Sequence, residues 1–249
     1  MRLITCSLTG LLVFSMVFVG SSFSGEVQMS EEMTGSKSMS VCWDTYQASA
    51  LIGLSLNDSR GDFIGRISDL AIDPSTGRID TFLVTDLQGF GAEEVAIPFS
   101  DISRQGESTF VYNPPEERHR FYGEAPYWSY GLHRLPMVRE GDDTFSMFLG
   151  ADVESREGEY VALIDDFVIN SADGHVVYVV LRDVGGPEGK MVAVPYGALS
   201  KKGEYLFALD TTKEALYAAT DFKWSDTTSA RYASDIHLHY GLQPYWEMK

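Results

Sequence analysis

Shifted by 97 residues, the chain aligns with itself. Residues 51–113 lie over residues 148–210 without a gap, and 15 of the 63 pairs are identical, where average residue usage gives about four by chance. The identities include Gly53/Gly150, Ile67/Ile164, Asp69/Asp166, Gly77/Gly174, Asp86/Asp183, Pro98/Pro195 and Phe110/Phe207. Most mismatches keep their class, as in Phe63/Tyr160, Leu70/Phe167 and Phe99/Tyr196. Two copies of one supersecondary plan constrain the fold more than composition does. With only two copies, the chain is a tandem pair and not a solenoid.

Each copy reads as strands joined by tight turns. In the first, 63–73 and 78–87 are β-rich apolar runs around Asp73-Pro74-Ser75-Thr76-Gly77. Proline presets φ for the second turn position and glycine takes a left-handed one. The second copy has Asn170-Ser171-Ala172-Asp173-Gly174 there, and a third strand, 94–98, matches 191–195. The run 176–181, Val-Val-Tyr-Val-Val-Leu, is apolar on both faces, so one face meets a barrel interior and the other a covering layer. Glycines at 53, 61, 65 and 77 suit the bends of a small sheet closing on itself. The expected class is mainly β: two tandem small antiparallel β-barrels with short helical C-terminal extensions.

The expected division is a signal peptide at 1–24, a flexible leader at 25–45, a first barrel at 46–128 and a linker at 129–144. A second barrel at 145–217 and a helical, aromatic extension at 218–249 complete it. Arg2, the apolar run 8–19 and Ser22-Phe23-Ser24 give the signal-peptide pattern. The run is too short to span a bilayer, so the mature chain is expected to carry no membrane span and to be exported, periplasmic or extracellular. Past that signal Cys42 is the single cysteine, which rules out an internal disulfide. A formal charge of −17 repels phosphate backbones, so nucleic acid is excluded as a partner.

In the extension, Thr211-x-x-Glu214 reads as a capping box, and 228–240 as a helix with Tyr232, Ile236 and Tyr240 on one face. Tyr122-Gly-Glu-Ala-Pro-Tyr127-Trp128 recurs as Tyr240-Gly-Leu-Gln-Pro-Tyr245-Trp246. Tyr122, Tyr127, Trp128, Tyr240, Tyr245 and Trp246 are large amphipathic side chains of the kind that anchor interfaces. They are equally suited to fold back over their own barrels, which are small enough to need cover.

Asp235, His237 and His239 are the candidate metal ligands. On a strand, residues two apart share a face and could chelate. On a helix they point about 200° apart and could not. No Gly-x-Ser-x-Gly elbow, Cys/His pair in a nucleophilic setting or phosphate loop is present in the sequence, and no cofactor is expected. Asp69/Asp166 and Asp86/Asp183 are read as hydrogen-bonding groups at turns and strand ends, not as acid–base pairs.

The segment Gly61-Asp-Phe-Ile-Gly65-Arg-Ile-Ser-Asp69, the Asp73–Gly77 turn and the Ile97-Pro98-Phe99 strand together resemble the PRC-barrel family. The second copy keeps Gly158, Ile164, Asp166, Gly174, Val194, Pro195 and Tyr196, with Ala162 in place of the second glycine. The family includes the cytoplasmic domain of the photosynthetic reaction-centre H chain and the C-terminal domain of a ribosome-maturation factor. The resemblance implies a docking module and not a catalyst. The expected function is therefore an exported, non-enzymatic module for protein binding or self-association at the cell envelope. The alternatives are an extracytoplasmic metal binder or enzyme using the cleft between barrels, and a reaction-centre H-chain-like electron-transfer accessory protein.

Overall fold

The structure, a computed structural model, describes residues 44–86, 94–106, 108–113, 143–187, 189–227 and 229–248. The first repeat comprises β1 (Thr45–Gln47), α1 (Ala48–Leu51), β2 (Ser55–Asn57), β3 (Phe63–Asp73), β4 (Arg78–Thr85), β5 (Val95–Pro98), β6 (Ile102–Gln105) and β7 (Thr109–Tyr112). The second comprises β8 (Asp143–Thr144), α2 (Phe145–Phe148), β9 (Asp152–Glu154), β10 (Tyr160–Asn170), β11 (Val176–Val184), β12 (Lys190–Val194), β13 (Leu199–Gly203) and β14 (Leu206–Leu209). Two helices follow, α3 (Lys213–Ala218) and α4 (Ala230–His239).

Each repeat builds a half-open barrel. The first sheet runs β5-β4-β3-β2-β7-β6 and the second β12-β11-β10-β9-β14-β13. One pair in each is parallel, β2 with β7 and β9 with β14, and the other pairs are antiparallel. The single-turn helices Phe99–Asp101 and Tyr196–Ala198 bridge the sheet ends, immediately after Pro98 and Pro195.

The leading strands are exchanged. β1, from the first repeat, pairs with β10 of the second (Tyr46 opposite Ile169). β8, from the second, pairs with β3 of the first (Asp143 opposite Ile72). Thr45 and Asp143–Thr144, placed by sequence in the leader and the linker, are therefore sheet strands. The hairpin tips also meet: the Ile79 amide donates to the Gly174 carbonyl at 2.9 Å, and the Val176 amide to the Gly77 carbonyl at 2.8 Å. One hydrophobic core runs through both halves, joining Leu56, Phe82 and Phe110 to Phe145, Phe167 and Phe207. The two repeats form one compact unit.

A second, smaller cluster lies on the outer face of the second sheet. Val168, Val177, Tyr178, Val180 and Ala193 are covered by Phe222, Ala233 and Ile236. This explains the double-sided apolar run 176–181: one face fills the barrel, the other receives α4. Three sequence expectations shift locally. The α3 cap is Thr212, whose hydroxyl accepts from the Ala215 amide, and not Thr211. The strand read as 78–87 ends at Thr85, because Asp86 takes a left-handed φ of 57°. α4 begins after Ser229, whose hydroxyl accepts from the Tyr232 amide at 3.1 Å.

Candidate functional site: the exchange seam and the aromatic cover

Asp69 and Asp166 lie where the halves cross. A register shift in β3 between Ile67 and Asp69, repeated in β10 between Ile164 and Asp166, marks a bulge at each aspartate. Asp166 accepts from the Ser49 amide at 3.0 Å, from Gln47 Nε2 at 2.9 Å, from the Phe167 amide at 2.8 Å and from the Ser49 hydroxyl. Asp69 accepts from the Ser146 amide at 3.1 Å, the Leu70 amide at 2.8 Å and the Ser146 hydroxyl. Each carboxylate thus caps the first turn of the helix belonging to the other repeat. A buried carboxylate is tolerable when charge-assisted hydrogen bonds replace its water. Neighbouring Asp165 has its carboxyl raised above the ordinary range by burial and by the Asp166 charge.

The spacing that both copies share around the turns has a related cause. Gly77 and Gly174 have φ of 68° and 77°. A Cβ at Gly77 would enter the Tyr196 ring, and one at Gly174 would lie 2.9 Å from the Ile79 carbonyl and 3.3 Å from the Phe99 ring. The aromatic after each Pro98/Pro195 therefore packs on the glycine of the opposite repeat. The Tyr196 hydroxyl donates to the Pro74 carbonyl at 3.3 Å, and burial pushes its pKa up to about 12.

The expected aromatic residues divide. Tyr122, Tyr127 and Trp128 lie outside the described residues. Tyr245 donates from its hydroxyl to Asp173 at 3.3 Å and accepts from Asn170 at 2.9 Å, with its ring stacked on His175 at 4.2 Å. Trp246 meets the His237 ring edge-on at 5.0 Å. Tyr240 packs against the main core, and its buried hydroxyl has no hydrogen-bond partner among the described residues. These three side chains fold back over their own second barrel.

The metal candidates sit on α4, and the helix separates them. His237 is buried, its Nδ1 2.9 Å from the Ala233 carbonyl, and burial lowers its pKa. Asp235 and His239, one turn apart, border a pocket of about 350 Å³ beside Ala219, Tyr232, Ile236 and Tyr240. Asp235 lies 3.8 Å from Arg231. Among the described residues no three His, Cys, Asp or Glu side chains converge to hold an ion, and no helix is long and apolar enough to cross a membrane.

The exchange was not read from sequence. Its signal lies just upstream of the gapless block: carried back, the 97-residue offset pairs Ser49 with Ser146 and Tyr46 with Asp143. Paired serines upstream of paired aspartates would have pointed to a conserved contact.

Two seven-stranded half-open barrels, locked through exchanged strands and mutual aspartate caps, define a duplicated small-barrel protein. A model of the PRC-barrel domain matches residues 44–119 and again residues 140–216, more than half of the chain. The chain belongs to the PRC-barrel family. No curated protein matches it.

Proposed function

We propose that this tandem PRC-barrel protein is exported and works, without catalysis, as a protein-binding or assembly module in the cell envelope. The observation that carries this reading is an exposed aromatic end on the second barrel. Tyr160 and Tyr205 are 50% and 58% exposed, and Tyr217 is also exposed. Tyr160 feels the charges of Asp152, Asp183 and Arg182 and lies within electrostatic reach of Tyr217, whose ring has the Lys213 ammonium 5.9 Å from its centroid, while the Asp152 amide donates to the Tyr205 carbonyl at 3.0 Å. Tyrosine gives large contact area with few rotors to immobilise, and the protein's formal charge of −17 favours a cationic partner surface. The first repeat lacks this end: Phe63, equivalent to Tyr160, is half-buried beneath Arg66 at 5.5 Å, and Ser108 stands in place of Tyr205.

Affinity capture from envelope fractions tests it. The native protein should retain a reproducible basic protein partner, and Tyr160→Ala combined with Tyr205→Ala should weaken retention at least about tenfold. A native protein that recovers no partner, or a double variant that retains it fully, overturns the reading.

A further inference from the structure

Among the buried positions at which the two halves differ, one on the exchange seam replaces a ring with a carboxylate and borders a pocket. In the first half Tyr46 of β1 is 8% exposed. Its ring meets Phe110 edge-on at 5.7 Å, and the Arg104 guanidinium lies 5.4 Å over its face. The 97-residue offset turns Tyr46 into Asp143, Phe110 into Phe207 and Arg104 into Lys201. The registers agree, since Tyr46 faces Ile169 and Asp143 faces the equivalent Ile72. In the second half the Asp143 carboxylate pairs with the Lys201 ammonium. The volume that a phenol ring takes in the first half is a pocket of about 270 Å³ in the second, walled by Phe148, Phe167, Phe207 and Tyr196 with Asp143 and Lys201.

We propose that this pocket binds a small monocyclic phenol whose ring fills the volume of the Tyr46 ring in the first half, turned end for end so that its hydroxyl faces Asp143. The occupant follows from the fold's own symmetry. Phe207 offers the aromatic contact that Phe110 gives Tyr46, and Lys201 the cation that Arg104 places over that ring. The size suffices, since an apolar cavity of about 150 Å³ already takes benzene. The ligand's hydroxyl donates to the Asp143 carboxylate, a mostly buried acceptor at the pocket wall. An aromatic acid of equal size would set a second carboxylate beside Asp143, whose one neighbouring ammonium, Lys201, is already paired, so it binds more weakly.

The test uses the full chain with 4-methylphenol, the tyrosine side chain as a free molecule, and benzoate as the contrast. Calorimetry should give saturable 4-methylphenol binding with Kd of roughly 0.1–1 mM, within the range for so few atoms. Benzoate should bind at least about tenfold more weakly. In NMR spectra the methyl resonances of Val179 and Leu199, which border the pocket, should shift on titration. Asp143→Tyr restores the side chain of the first half and should abolish binding while keeping the fold. Should that variant misfold, the methyl shifts in the native protein still decide. Absence of saturable binding, equal affinity for benzoate, unchanged binding by folded Asp143→Tyr, or shifts confined to methyls elsewhere would each overturn the proposal.

Discussion

Asp166 ties three backbone and side-chain donors of α1 and its entry to the opposite sheet. Truncating it to alanine removes the shared acceptor of the Ser49 amide, the Ser49 hydroxyl and the Gln47 side chain at a partly exposed seam. Hydrogen bonds to a charged group are worth about 1.5–3 kcal/mol, and several are lost together. Asp166→Ala should therefore lower unfolding free energy by roughly 2–4 kcal/mol, read from urea denaturation, and Asp69→Ala by a similar amount. An unshifted urea midpoint in both variants would contradict the capping role. The duplicated residues were legible as structural because both copies keep them. Their partners were not, since a hydrogen bond spanning 117 residues leaves no local pattern. Asp86 and Asp183 show the opposite case. Both hold left-handed φ of 57° and 58° at strand ends, a conformation aspartate tolerates and β-branched residues do not.

At the scale of elements, periodicity placed α4, the long β3/β4 and β10/β11 hairpins and the third strands close to where they lie. What it could not give was the destination of the short leading strands, because two or three residues carry no period and their pairing is decided by the partner sheet. The same limit applies to the candidate ligands on α4. Spacing showed that Asp235, His237 and His239 cannot converge on a helix, while the burial of His237 depends on the barrel face beneath it. That burial has a pH consequence. The His237 pKa is lowered in the folded state, so the unfolded chain binds the proton more readily as pH falls below the ordinary histidine value near 6.5. Stability from α4 is thus full above that value and lost as pH falls through the depressed folded pKa. Trp246, 5.0 Å from the His237 ring, reports it. Its fluorescence should change on acidification below about pH 6.5, and His237→Phe should flatten that change. A variant that keeps the full pH response would place the titrating group elsewhere.

Across the whole molecule, duplication has produced one body and not two beads. The sequence showed the copies and their mainly β character, but suggested separable barrels joined by a linker. The physical reason for the difference is that each repeat's entry strand completes the other's sheet, and each hairpin tip hydrogen-bonds to its counterpart. A single core of aromatic and aliphatic side chains then leaves no dry plane along which the halves can part. Covalent continuity between the repeats should accordingly be dispensable once folding is complete. A specific protease site inserted between residues 114 and 142, cut in the native state, should leave the two fragments eluting together as one species with unchanged near-ultraviolet circular dichroism. Their separation should require denaturant, with one transition seen by both fluorescence and circular dichroism, because unzipping either exchanged strand exposes the shared core of both halves. Fragments that part under native conditions, or two resolved transitions in the uncut chain, would mean that the seam is a contact between independent domains and that the exchanged strands contribute little to holding them.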